Sequence, residues 1–461
     1  MRHVLSRAIA AAAVGSVLLA GCSSTVTGTA SAARPVTDVT AEEFLVTGAT
    51  DSDIDRYARN ALADLTTFWE QAYPEFYGEP LTPLQGGYFS VDADDIDESR
   101  YPPTGVGCAR LPIDPAEVEG NAFYELNCDV IVYDSSLLQE LGELHGRFLG
   151  PAVMAHEFGH AMQGRFGFSE VTIRDETQAD CFAGAFTRWV VDGNAEHVAL
   201  RVSELDDVLL GFIELRDPVG LTDETVEGAH GSGFDRVSGF YAGYTGGVGT
   251  CRDEFGPERV FTAAEFDEAE EATEGNADYA DIQEIVELSL PAFYDSWFPQ
   301  VGGAAFDAPA IEPFDGTAPA CGDMGAEDRD LGFCAADSTV YADETDLLRP
   351  AYQEFGDFAV ATAISLPYAQ AARAQLGLST DDSAGTISTV CLTGWYAARF
   401  FDGDFADTEL SPGDVDEAIL FLLGHGQDDS VLPNVELSGF ELVGAFRDGF
   451  LQGGTACDLG V

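Results

Sequence analysis

Residues 148–168 read FLGPAVMAHEFGHAMQGRFGF, and residues 358–378 read FAVATAISLPYAQAARAQLGL. The two stretches belong to a longer gapless alignment of 148–184 onto 358–394. In it Phe148 lies over Phe358, Gly167 over Gly377, Cys181 over Cys391 and Gly184 over Gly394. Similarity continues outward in the same order on both sides. FWEQAYP (68–74) resembles FYDSWFP (293–299), FYELNCDVIVYD (123–134) resembles GFCAADSTVYAD (332–343), and VSGFYAGYTGGVGTC (237–251) matches VGAFRDGFLQGGTAC (443–457). Any one of these could be two amphipathic segments of like pattern. Four in the same order, carrying cysteines and aromatic pairs, indicate an internal duplication. The chain therefore reads as two copies of one module, residues 50–255 and 281–461, joined by an acidic linker at 256–280.

With 461 residues, 46% of them hydrophobic, the chain is long enough for more than one sizeable core. Its 81 acidic residues face 21 basic ones, every one an arginine, for a formal charge of −60. Nucleic acid and anionic membrane surfaces are thereby poor partners, and no nucleic-acid partner is expected. The acidity is read as adaptation to salt and a GC-rich genome, with attraction for basic substrates as the other reading.

The N-terminus has the layout of an export signal. Met1-Arg2-His3 and Arg7 precede a short apolar run, and Leu19-Ala20-Gly21-Cys22 follows. That run is too short to span a bilayer as a stable helix, and Leu-Ala-Gly-Cys looks like a bacterial lipobox. It implies removal of residues 1–21 and lipid attachment at Cys22, with 22–49 as a flexible Ser/Thr/Ala-rich tether. The expected location is the outer face of the cell membrane, held by acyl chains alone.

Eight cysteines remain once Cys22 is set aside, an even number that suits disulfides in an exported protein. The repeat orders them: Cys108, Cys128, Cys181 and Cys251 correspond to Cys321, Cys334, Cys391 and Cys457. Equivalent positions should pair alike, which predicts Cys108–Cys128, Cys181–Cys251, Cys321–Cys334 and Cys391–Cys457.

HEFGH itself places His156 and His160 one turn apart on a helix whose apolar positions include Val153, Met154 and Met162. Both imidazoles can then reach one metal ion, and Glu157 overhangs the open coordination position as a general base. A polar patch on a helix is the plainer reading, and a third ligand is what separates them. RDETQADCFAGAF (174–186) offers one. Glu176 and Asp180 are again a helical turn apart, so an antiparallel helix pair could bring Glu176 to the metal while Asp180 holds a ligand imidazole from behind. The plainer reading there is an acidic first turn meeting its helix dipole. DVIVYD (129–134) has the pattern of a strand, either a core strand or an edge that could pair with an extended peptide.

These residues together resemble the neutral zinc metallopeptidases of bacteria, whose signature is HExGHxxQ, then QADCxAG, then HGSxxxR. Here the matches are His156-Glu157-Phe158-Gly159-His160-Ala161-Met162-Gln163, Gln178 to Gly184, and His230-Gly231-Ser232 followed by Arg236, with NAFY (121–124) ahead of them. Ala161 and Thr177 depart from the commoner letters. The two-copy lipoprotein layout is similar to actinobacterial lipoprotein peptidases. The resemblance implies an α+β, predominantly helical fold of two tandem zincin-like, gluzincin-type modules, the second degenerate. It implies one Zn2+ per chain on His156, His160 and Glu176, with Glu157 as general base and Asp180 behind the ligands. His230 would be a donor to the oxyanion of the tetrahedral intermediate, unless it is simply a surface histidine. The implied partner is a peptide or protein substrate.

The second copy tests this from within the chain. His156 maps to Leu366, Glu157 to Pro367, His160 to Gln370, Glu176 to Thr386, Asp180 to Val390 and His230 to Glu436. All six polar positions are lost while the packing residues and cysteines persist. The expected function is a lipid-anchored zinc endopeptidase. The alternative is a cell-surface binding or assembly lipoprotein whose zinc site is vestigial or structural, which the retention of Glu157 disfavours.

Overall fold

The computed structural model describes residues 36–459 apart from 170, 224–225, 227, 406–407 and 433–435. The signal segment, Cys22 and residues up to 35 lie outside the described residues, but 36–49 is not the flexible tether expected: Val39 and Val46 are buried and Thr47 pairs with Tyr88 and Ser90, because these apolar side chains find the first copy's core. Helix takes 54% and strand 9%, which makes the fold α+β and predominantly helical, as expected.

The first copy opens with α1 (Asp53–Tyr77), capped by the Ser52 side chain at its start. It continues through β1 (Gly87–Val91), a small hairpin of β2 (Val106–Cys108) and β3 (Leu111–Ile113), then β4 (Ala122–Glu125) and β5 (Val130–Asp134). Five helices follow: α2 (Ser135–His145), α3 (Leu149–Phe166), α4 (Thr172–Val191), α5 (Leu205–Glu214) and α6 (Gly233–Asp253). The sheet order is β1-β5-β4, with β1 parallel and β4 antiparallel to β5. This corrects the edge-strand reading of DVIVYD. β5 is the central strand, paired on both sides and buried at all five positions, which is why VIVYD carries apolar residues on both faces. The exposed edge beside the HEFGH helix is β4, which carries Ala122, Phe123 and Tyr124 of the NAFY stretch. A Cβ added at Gly164 of α3 would touch the Tyr124 hydroxyl, so helix and edge strand lie against one another.

The second copy repeats the plan: α7 (Tyr279–Gly302), β6 (Ala310–Phe314), short α8 (Asp323–Glu327), β7 (Leu331–Cys334), β8 (Thr339–Asp343), short α9 (Arg349–Glu354), then α10 (Asp357–Gln375), α11 (Ser383–Phe401), α12 (Asp414–His425) and α13 (Gly439–Gln452). Its sheet has the same order and directions, β6-β8-β7. Even terminations recur. α1 and α7 each end on a left-handed glycine, Gly78 and Gly303, whose N–H bonds back to Pro74 and Pro299 respectively.

The tightest crossings are α4 on α6 and α11 on α13. They need glycine: a Cβ at Gly184 would strike the Phe240 carbonyl, and one at Gly394 the Phe446 carbonyl. Cys181–Cys251 and Cys391–Cys457 lock these same pairs, with Cα separations of 5.6 and 5.3 Å. Cys108–Cys128 and Cys321–Cys334 complete the four predicted pairs. One correspondence is looser than the alignment implied. Cys334 closes strand β7, whereas Cys128 lies in the turn after β4.

The two copies share one continuous core. Phe234 meets Phe450 at 4.8 Å between ring centres, and Phe440 meets Tyr244 at 4.8 Å. Asp416 of α12 accepts from the N–H groups of Gly233 and Phe234 at the start of α6 (2.9 and 2.7 Å). Asp206 of α5 accepts from those of Gly439 and Phe440 at the start of α13 (2.9 and 2.7 Å). The acidic segment 256–280 packs on both copies. Thr262 and Ala263 donate to Asp235, Phe266 N–H bonds to the Gly220 carbonyl, and Ala277 N–H bonds to Asp357. No helix among the described residues is long and apolar enough to cross a membrane.

Candidate metal centre

α3 and α4 run side by side, and the glycine inside HEFGH sets their spacing. A Cβ at Gly159 would come within 3.0 Å of the Ala179 Cα. This close approach brings Glu176 beneath both imidazoles. His156 Nε2 and His160 Nε2 are 3.0 Å apart, and Glu176 Oε2 is 3.2 Å from each. The three atoms form a near-equilateral triangle.

The outer nitrogens are already engaged. His156 Nδ1 donates to Asp180 Oδ1 at 2.7 Å, and His160 Nδ1 donates to Gln163 Oε1 at 2.7 Å. Each ring is thereby fixed in the tautomer whose Nε2 presents a lone pair to the triangle. Two imidazole lone pairs and a carboxylate oxygen pointed at one another repel unless a metal ion, or a proton on one of the rings, lies between them. A tetrahedral zinc with bonds of ~2.0–2.1 Å would hold its donors about 3.3 Å apart, close to the separations seen. The residues therefore fit a zinc ion on chemistry, tautomer and spacing.

Their supports reach far back into the helices. Arg236 of α6 grips Asp180 through Nε (3.0 Å) and Nη2 (2.9 Å), and also donates to the Leu215 carbonyl. Gln163 donates to the Asp175 carbonyl and to Gln178, which in turn donates to the Cys251 carbonyl. The disulfide at Cys251 is thus tied to the His160 support.

Electrostatics follow from burial and neighbours. Burial opposes a charged His156, yet Asp180, Glu176 and Glu157 lift its pKa to about 10. Burial also opposes ionisation of Glu176, but the two imidazoles win and hold it well below the usual carboxylate range. The pocket is an acidic field that attracts a cation. Glu157 is only 6% exposed, and burial raises its pKa against the pull of His156, His160 and the Tyr124 N–H. A carboxylate poised upward in this way is suited to accepting and returning a proton.

His230 stands at the rim, its side chain 48% exposed, with Nε2 3.9 Å from Glu176 Oε2. Its Nδ1 lies 3.2 Å from Asp217 Oδ1, and Asp217 Oδ2 accepts from the His230 and Gly231 N–H groups. Asp217 was not foreseen in the sequence. Nor were the supporting roles of Gln163 and Arg236, although both letters stood in the quoted motifs.

In the second copy the arrangement is replaced as a unit. Leu366, Val390 and Leu442 are fully buried where the first copy has His156, Asp180 and Arg236. Arg373 bonds Ser388, and Ser388 bonds the Cys457 carbonyl, where the first copy has Gln163, Gln178 and Cys251. Segment 428–432 closes over the sheet, with Ser430 accepting from Asp330 and Leu331 at the head of β7, and Val431 and Leu432 buried. Glu436, opposite His230 in the alignment, is exposed. The chain matches no protein family, no curated protein and no solved structure, so the functional reading rests on this geometry.

Proposed function

We propose that the chain is an exported, lipid-anchored zinc endopeptidase whose first module, a variant of the gluzincin-type zincin fold, carries the active site. The second module is a degenerate copy that serves as scaffold. The observation that carries this reading is the triangle of His156 Nε2, His160 Nε2 and Glu176 Oε2 at 3.0–3.2 Å, with the buried carboxylate of Glu157 close enough to feel both imidazoles. A purely structural site needs four protein ligands and no base.

His156, His160 and Glu176 would hold the zinc, which would supply Lewis acidity to activate water at neutral pH and polarise a carbonyl. Glu157 accepts the proton of the attacking water and returns it to the leaving amine. His230, oriented by Asp217, donates from the rim to the oxygen on which charge develops. β4 offers its open edge to an extended peptide, whose backbone would add as a further strand. Lipidation at Cys22 would hold the enzyme at the outer face of the membrane, with peptide or protein as its substrate.

The test compares wild type with Glu157→Gln for zinc content and for cleavage of a broad peptide panel. Both should carry about one zinc per chain, and only the wild type should cleave. If both hold zinc and neither cleaves anything, the enzyme reading fails.

A further inference from the structure

Three carboxylates meet in the second module at the starts of two helices. Asp357 opens α10, and Asp414 and Glu417 stand in the first turn of α12. One oxygen from each lies within 4.8 Å of the others. Asp357 and Asp414 are each 5% exposed.

One oxygen of each is engaged by a backbone N–H. Ala277 donates to Asp357 Oδ2, Ser411 to Asp414 Oδ2 and Phe358 to Glu417 Oε2, each at 2.8 Å. Asp357 Oδ1 is buried and has no hydrogen-bond partner among the described residues. The charged groups bearing on the cluster are themselves acids, including Glu270 and Asp416. Asp416 is in turn taken by Arg216 at 3.3 Å. Among the described residues no arginine side chain bonds these three acids, which are met only by backbone N–H groups and the positive ends of α10 and α12, and burial makes the uncompensated charge costly.

The first copy shows what the cluster is missing. The equivalents of Asp357, Asp414 and Glu417 there are Arg147, Glu204 and Asp207. The preceding glycines correspond in space as well, since a Cβ on Gly146 would face Asp207 and one on Gly356 would strike Glu417. Arg147 lies over the Tyr57 ring, and Glu204 pairs with Arg201 at 2.8 Å. That set is solvated and contains its own cation. The second copy has an acid in place of the arginine and covers it with the linker: Asn276 Oδ1 accepts from Asp357 N–H, and the Ala277 carbonyl accepts from the Tyr352 hydroxyl. A cleft of about 560 Å³, lined by Glu271, Glu274, Asn276 and Glu417, opens beside the cluster and gives solvent a way in.

We propose that Asp357, Asp414 and Glu417 bind a divalent cation of the calcium class, which replaces the missing arginine and pins the linker to the second module. Three carboxylate donors, with water reaching them from the cleft, are ligands for a hard cation and poor ones for zinc, and their three charges outweigh the positive ends of the two helices. This site is independent of the one at His156, and either can exist without the other.

Calcium is titrated by calorimetry into the whole chain at an ionic strength that screens surface carboxylates. The proteins compared are the wild type, His160→Ala, and the double variant Asp357→Asn with Asp414→Asn. Wild type and His160→Ala should show one calcium site per chain that the double variant binds at least about tenfold more weakly. Calcium should raise the Tm of the first two and leave that of the third unmoved. The double variant keeps the side-chain shapes and sheds buried charge, and far-UV circular dichroism verifies that it folds. Equal calcium binding by the double variant, or none by the wild type at millimolar calcium, overturns the proposal. In the latter case, a double variant more stable than the wild type at neutral pH would show that the carboxylates share protons instead.

Discussion

Arg236 and Asp180, 56 positions apart, form a buried two-point ion pair that holds the back of His156. Removing Asp180 as Asp180→Asn leaves a guanidinium without its charge partner in the core. Metal affinity should fall 10- to 100-fold, and stability by roughly 3–5 kcal/mol. Replacing both partners with the second-copy residues, as Asp180→Val with Arg236→Leu, should recover most of the stability and none of the affinity. Zinc titration and denaturant unfolding read the two effects separately.

Gly159→Ala probes the spacing of α3 and α4. The added methyl meets Ala179 at 3.0–3.1 Å, so α4 must move and carry Glu176 with it. A destabilisation of about 1–3 kcal/mol and weaker zinc binding are expected. Ala179→Gly in the same chain should restore zinc binding only in part, because it removes the methyl contact and leaves the one with the Ala179 Cα. The second copy already has Ala369 at this position, where no metal geometry needs protecting.

His230→Ala should leave zinc content unchanged and lower kcat by about two orders of magnitude, as loss of one donor to a developing oxyanion does. Asp217→Asn should lower kcat less and keep zinc, because it disturbs only the orientation of the His230 ring. A parallel loss of zinc in either variant would show that these residues hold the metal site together instead.

Burial raises the pKa of Asp357 to about 6, and burial together with neighbouring carboxylates holds those of Asp414 and Glu417 well above the usual carboxylate range. In the native state these groups bind more protons than in the unfolded chain. Stability therefore falls as pH rises from the ordinary value near ~4 through about 6, by on the order of 3 kcal/mol for Asp357 alone. Calcium should flatten this decline, and Tm measured from pH 4 to 7 with and without calcium checks it.

Much of the site is local enough to be written in short spacings. His156 with His160, and Glu176 with Asp180, are one-turn relations that survive any tertiary arrangement of the helices. Disulfide pairing was legible because the chain contains its own comparison. Sheet order was not, since β1, about forty residues before β5, is what turns β5 from an edge into the centre. Asp217 sits 13 residues from the histidine it orients with no periodicity linking them, and Asp357 looks like any acid at a helix start until the linker is seen to cover it.

Some of the main contacts across the middle of the molecule occur twice with the roles reversed. Asp206 serves α13 as Asp416 serves α6, and Phe440 meets Tyr244 as Phe234 meets Phe450. A surface built this way is complementary to itself, as in an isologous dimer with a two-fold axis. The chain is the covalent counterpart of such a dimer, fused through residues 256–280. Fusion keeps both halves at equal concentration and in contact, so one half could give up its ligands while still supplying its partner with the face it needs to fold.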